Sequence, residues 1–314
     1  MTLWIAAELW AGTLFHARAE QMLVAAGKSL AAQQAVRLVK EQRGLMQPPG
    51  LDPNRTGLIG PEWSETTTTV GLLSAKRSAT NPDFAAALVR LIGRLDPPRG
   101  APVLVVLSGS LVGANIAAII AAEALGLTPV IVSSLGASMY GATDLEFSWL
   151  DIEATLANAG AIASRSLVAV IGGERGVGSA MDPAGRAALA ASASRYAVPL
   201  LEEQSVGALV DEIRSRIAAT APGGPRLVIN IGGSVVGMGT CAGNETLPSG
   251  LITGPLPCHD GTPGLVEVFA NAGIPVLHIL NMRKLARELG LPYDPIPLPQ
   301  PGRNRKVYAV TGNL

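Results

Sequence analysis

Apolar positions recur at helical spacing from His16 to Arg43, an Ala-rich run that Gly44 and Pro48-Pro49-Gly50 stop. From Leu51 to Asn81 that periodicity fades. Asp52-Pro53-Asn54, Gly57, Gly60-Pro61 and the run Thr66 to Thr69 predict an irregular, polar segment there. Helical spacing returns from Pro82 to Leu95, with Pro82 suited to a first helical turn, and Pro97-Pro98-Arg99-Gly100 ends it.

Beyond residue 100 short, wholly apolar runs alternate with helical stretches. Strands are expected at Val103–Leu107, Val130–Ser133, Leu167–Ile171, Val198–Leu201, Leu227–Ile231 and Val276–Leu280. Helices are expected at Val112–Leu125, Asp151–Ala159, Pro183–Tyr196, Val206–Ala219, Leu265–Ala272 and Met282–Leu289. Strands apolar on both faces belong in a parallel sheet covered on both sides. The expected fold is therefore α/β, a doubly wound, mostly parallel sheet of about six strands with right-handed crossovers. Residues 1–100 form an N-terminal helical and irregular extension packed on a Rossmann-like unit of residues 101–314. The Pro-rich tail from Pro292 runs extended, and Val307 to Thr311 is expected to add an edge strand.

Composition narrows the function classes. The 314 residues carry no net charge, with 24 basic and 24 acidic side chains, so no basic excess marks a nucleic-acid binder. Aromatic residues make up 4%, too few for a stacking platform. The two cysteines, Cys241 and Cys258, exclude a zinc finger or a disulfide-framework scaffold, and leave open one disulfide or two thiols. Thr2 to Phe15 is apolar but interrupted by Glu8, and falls short of the roughly 20 residues of a membrane span.

Three expected strands run straight into Gly- and Ser-rich turns: Ser108-Gly109-Ser110 with Asn115 just beyond, Gly172-Gly173, and Gly232-Gly233-Ser234. Ligands of parallel α/β sheets bind outside the carboxyl ends of strands, and such turns present backbone N–H groups to an anion. None of them matches a P-loop, no acidic partner completes a dinucleotide fingerprint, and no cofactor is expected. Thr67, Thr68 and Thr69, with Lys76, Arg77 and Asn81, supply hydroxyls and two cations to close over an acidic ligand. Ser108 and Ser110 stand where a nucleophile would sit, although the elbow pattern G-x-S-x-G is absent. His278 reads as a core histidine within a strand, and His259 beside Cys258 has the composition of a base and a nucleophile. No spacing of a metal site occurs. Asp144, Glu146, Asp151 and Glu153 gather after the second expected strand.

A longer pattern carries a family resemblance. Its parts are Asp52-Pro53-Asn54-Arg55-Thr56-Gly57-Leu58-Ile59-Gly60-Pro61-Glu62, then Thr66–Thr69, Ala75-Lys76-Arg77 and Asn81-Pro82-Asp83-Phe84-Ala85. They continue with Ser108-Gly109-Ser110, Ser133-Ser134-Leu135-Gly136-Ala137-Ser138-Met139, Phe147-Ser148-Trp149-Leu150-Asp151 and Leu291-Pro292-Tyr293-Asp294-Pro295. From about residue 20 to 310 the chain resembles the poly-gamma-glutamate system proteins, the PgsW-like family.

The resemblance implies an accessory protein of poly-γ-glutamate biosynthesis and export. It would bind the polymer or a glutamyl precursor, alongside other synthesis and export proteins at the membrane. The family's location is extracytoplasmic and membrane-associated; a soluble cytoplasmic member is the alternative here because Thr2–Phe15 is short. It carries over no catalytic residues, so Ser134 and Ser138 join the Gly-rich turns as candidate binding residues. Enzymatic action, if present, would be hydrolysis or transfer at γ-glutamyl amide bonds near Ser108 or Ser110. Two other readings stand beside it: a phosphosugar-binding protein or isomerase of the SIS type, for Ser108-Gly109-Ser110 and Val130 to Ser134, and a non-catalytic partner in a membrane complex.

Overall fold

The computed structural model describes residues 17–173, 176–203, 205–243 and 246–309. The expectations for Thr2–Phe15, His16 and Val310–Thr311 lie outside them. Helix α1 (Ala19–Arg43) buries Met22, Ala25, Ala26, Ser29, Ala32, Gln33, Val36 and Lys40, one stripe at helical spacing. It ends where Gly44 takes a left-handed φ of 69°, which glycine adopts without a Cβ clash. The segment read as irregular holds two elements, β1 (Thr67–Thr69) and α2 (Leu73–Ala79). Helix α3 (Asp83–Gly93) follows.

The α/β core then runs β2 (Pro102–Ser108), α4 (Val112–Ala124), β3 (Thr128–Ser134), β4 (Ala137–Ser138) and α5 (Trp149–Asn158). It continues with β5 (Ser166–Val170), α6 (Pro183–Arg195), β6 (Leu200–Leu201), α7 (Val206–Thr220), β7 (Leu227–Ile231) and the short α8 (Val235–Met238). Last come β8 (Gly250–Ile252), α9 (Leu265–Asn271), β9 (Val276–Ile279), α10 (Met282–Leu289) and α11 (Arg305–Tyr308).

The described residues form a seven-stranded sheet in the order β6-β5-β3-β2-β7-β9-β8. All its neighbours are parallel except β8, which pairs antiparallel with β9. The fold is the doubly wound α/β arrangement that the alternating pattern predicts. Along β2, Val103, Val105 and Leu107 join one apolar cluster with α1, α3, α4, α5, α6 and α10. Leu104 and Val106 join the other, with α7 and α9. A strand with both faces buried needs apolar residues at successive positions, which is why these strands read as unbroken runs.

Three expectations are corrected. The sheet gains β8, and β1 and β4 pair as a separate two-stranded parallel ladder. At the C-terminus Arg305–Tyr308 is helical rather than an edge strand. Asn304 caps it through Oδ1 to Lys306 N at 3.1 Å, and Val307 and Tyr308 are buried against α3.

Candidate functional site

Strand β2 hands the chain to α4 on one face of the sheet, and its neighbour β7 hands it to α8 and α9 on the other. Where adjacent parallel strands diverge in this way a crevice opens at their carboxyl ends. A cavity of about 450 Å³ occupies that place. The ladder of β1 and β4 forms a wall of it, held by Met139 N to Thr69 O at 3.0 Å and Thr68 Oγ1 to Ala137 O at 3.1 Å.

Of the residues singled out from sequence, Thr68, Thr69, Lys76, Ser108, Ser110, Ser134, Ser138, Gly173, Gly232, Gly233 and Ser234 line this cavity. All three Gly- and Ser-rich turns thus converge on one space. The others serve nearby. Thr67 Oγ1 accepts from Ser64 N at 2.9 Å, and Asn81 Oδ1 accepts from Asp83 N at 3.0 Å at the start of α3. Fully buried Asn115 donates Nδ2 to Ser108 O at 2.8 Å, fixing the end of β2. Gly109 N bonds Ser134 O at 2.9 Å, and Gly172 N bonds Gly176 O at 2.8 Å. Arg77 turns away from the cavity. Its Nε and guanidinium nitrogen meet both oxygens of Asp294 at 2.6 and 2.5 Å, and this hydrogen-bonded pair raises the guanidinium pKa.

Lys76 is 5% exposed. Its Nζ lies 2.6 Å from Ser110 O and 2.5 Å from Ser138 Oγ. Among the described residues no carboxylate pairs with it, and burial pushes its ammonium pKa down to about 7. Ser138 N in turn donates to Ser110 Oγ at 3.0 Å, and Ser110 N to Ser108 Oγ at 3.4 Å. Ser234 Oγ is buried in the opposite loop with no hydrogen-bond partner. Gly71 lies beside Lys76 and Ser138: a Cβ there would sit 3.1 Å from Ser138 Oγ and 3.2 Å from Lys76 Cε.

The cavity shares Leu72, Ala75 and Leu280 with a second one of about 760 Å³, lined by Ser249, Asn281, Arg283, Lys284 and Tyr293. Arg287 and the same α10 residues line the cleft's outer end. Arg283 stacks on the Tyr293 ring at 4.5 Å from its centroid, and Lys284 Nζ donates to Ser249 O at 3.0 Å. Sequence reasoning predicted the helix but not its role. The visible signal was Arg283 and Arg287 four residues apart, hence on one face. The apolar lip Val70 and Leu72, exposed at 73% and 71%, was also missed.

The other candidate chemistry resolves into structure. Asp144 pairs with buried Lys40 at 2.5 Å, and Glu153 with Arg165 and Ser166. Asp151 closes a capping box on Ser148 and also accepts from Arg195 and Tyr196. These carboxylates are therefore separate anchors of α5 and its surroundings, and not a joint site. Cys241 and Cys258 form a disulfide, so no thiol is left at Cys258 for a pair with His259. His278 is fully buried on β9, with Nδ1 3.0 Å from Asn230 Nδ2, and burial lowers its pKa to about 4. It is a neutral core side chain.

Comparison of the chain with family models, with curated proteins and with solved structures finds no match. Among the described residues, no helix is long and apolar enough to cross a membrane, and no group of three or more His, Cys, Asp or Glu side chains is placed to hold a metal ion.

Proposed function

We propose that this protein is an accessory factor of poly-γ-glutamate production that binds a γ-glutamyl chain in the cleft at the ends of β2 and β7. The observation that carries the reading is the cleft's continuity. A hydroxyl-rich pocket with an apolar lip shares Leu72, Ala75 and Leu280 with the neighbouring cavity, which in turn shares Arg283 and Lys284 with the outer cleft beside Arg287. A γ-linked glutamyl chain alternates amide groups, two methylenes and one free carboxylate per unit. Amides suit the serine-lined pocket, methylenes suit Val70, Leu72 and Leu280, and carboxylates suit Arg283 and Arg287. Among the described residues no carboxylate pairs with either arginine, which leaves both able to meet an anion. The Cys241–Cys258 disulfide supports placement in an oxidising compartment, where an exported polymer is handled.

Calorimetric titration tests the reading. A γ-glutamyl decamer is expected to bind, with affinity falling as salt rises. Replacing Arg283 and Arg287 with serine is expected to weaken binding by roughly 2- to 30-fold, the loss of two exposed charge contacts of about 0.2–1 kcal/mol each. An α-linked glutamyl decamer bound equally well would remove the γ-linkage from the reading. Binding of glucose 6-phosphate in place of the decamer would turn it to the sugar-phosphate class.

A further inference from the structure

We propose that Ser138 and Lys76 are a nucleophile and its base, and that the inner end of the cleft cleaves or transfers acyl groups held in amide linkage. The identity of the acyl group as γ-glutamyl rests on the reading above; the pair itself rests on its own geometry.

Four serines line the inner cavity around β2, β3 and β4, and the hydroxyl of one of them touches a base. Ser138 Oγ lies 2.5 Å from Lys76 Nζ. Ser110 Oγ accepts from Ser138 N, and Ser108 Oγ donates to Ile231 O at 3.4 Å. Ser134 Oγ packs against Gly172, where a Cβ would come within 2.5 Å of it. Among the described residues no histidine lines this cavity, and His278 on β9 is committed to Asn230.

The amine is held for the task by a second contact, Nζ to Ser110 O. A neutral amine has one lone pair and two N–H bonds. Giving one N–H to the Ser110 carbonyl leaves the lone pair free to accept the Ser138 hydroxyl proton. A serine hydroxyl is a weak nucleophile until a neighbour takes that proton, and an ammonium cannot take it. Burial provides the neutral form: with its pKa near 7, Lys76 is about half deprotonated at neutral pH.

Among the described residues, Lys76 is the charged side chain that lines the inner cavity, and those on the surrounding elements lie outside that lining. Arg77 of α2 holds Asp294, Glu123 of α4 holds the backbone at Ala163 and Ser164, and Asp144 beyond β4 holds Lys40. On α10, Arg283 stacks on Tyr293, Lys284 bonds Ser249 with Glu288 at 3.8 Å, and Arg287 lines the outer cleft. Gly71 keeps the space beside the pair open, and Ser234 Oγ, unpartnered across the cavity, offers a donor to a ligand oxygen.

The steps balance as follows. Ser138 Oγ bonds to the amide carbonyl carbon as its proton passes to Lys76 Nζ. The tetrahedral intermediate collapses, the C–N bond breaks, and Lys76 returns that proton to the departing amine. Water then attacks the acyl-serine ester and gives its proton to Lys76, which passes it to Ser138 Oγ as the ester bond breaks and a carboxylic acid leaves. An incoming amine in place of water makes a new amide and completes a transfer.

A fluorophosphonate probe tests the pair, since it bonds phosphorus to an activated serine oxygen and releases fluoride. One label is expected, mapped by peptide mass spectrometry to Ser138, with a rate that rises with pH and reaches half its maximum near pH 7. Ser138→Ala should remove the label. Lys76→Met should slow labelling by about 10²-fold or more in protein that still unfolds cooperatively. Should that variant not fold, the pH profile of the unaltered protein decides the matter. A label on Ser108 or Ser110, a rate independent of pH, or no label on protein that binds the γ-glutamyl decamer would overturn the pair. Labelling of Ser138 in protein that ignores the decamer would uphold the pair and reject the γ-glutamyl assignment.

Discussion

A lysine ammonium inside a cavity wall has lost most of its hydration, and at Lys76 no carboxylate repays the loss among the described residues. The consequence is measurable in stability as well as chemistry. Unfolded, the side chain keeps its ordinary pKa of 10.5; folded, it releases its proton near 7. Between those values the unfolded chain binds more protons, so this group makes stability rise with pH over that interval, by up to about 1.4 kcal/mol per unit. Lys76→Met is expected to flatten the slope of urea-unfolding free energy between pH 7 and pH 10. At this scale the sequence was informative about composition and silent about direction. Lys76 and Arg77 stand side by side, but successive helical residues point about 100° apart. One therefore enters the cavity, and the other reaches Asp294 more than 200 positions away in the chain. Ser108 and Ser110, which directly follow a strand, were the expected nucleophiles. Ser138 lies where it does because β4 pairs with β1, a contact between distant segments that no local spacing encodes.

Helix α2 owes its position to a close crossing with α4. A Cβ on Gly113 would lie 2.3 Å from Ala79 O, so α4 approaches the end of α2 at a distance only glycine permits. Gly113→Ala is expected to destabilise the protein by about 1–3 kcal/mol in urea unfolding, and to depress labelling of Ser138 by shifting Lys76. The tail is tied down in a similar way. Tyr308 OH donates to buried Asp83 at 2.6 Å, joining α11 to the start of α3. Tyr308→Phe removes a bond to a carboxyl group and is expected to cost about 1.5–3 kcal/mol, read from the same unfolding curves. The elements that escaped sequence reading share a cause. Strands β1 and β8 have three residues each and α2 has seven, too short for a period to register. Val307 and Tyr308 looked strand-like as an apolar, β-prone pair, while Asn304 and the pocket beside Asp83 fix them as a turn of helix. The long elements, α1 and the strands of the main sheet, were legible because burial on one face or two imposes a pattern on many consecutive positions.

At the scale of the whole molecule, topology decides where chemistry can occur. The strand order β6-β5-β3-β2-β7-β9-β8 reverses direction between β2 and β7, and the cavity follows from that reversal before any side chain is considered. The Gly- and Ser-rich turns were readable from sequence as belonging to strand ends, though their meeting in one cavity required the order of strands. A net charge of zero also concealed the cations of α10, because balance over 314 residues says nothing about their grouping on one helix face. The small ladder of β1 and β4 has its own consequence. It brings Ser138 to the segment that leads into Lys76, so the reactive pair rides on a platform separate from the seven strands, while Gly173, Gly232, Gly233 and Ser234 belong to the main sheet's turns. Two separately paired sheets thus border one cavity, and each contributes its own set of side chains to it.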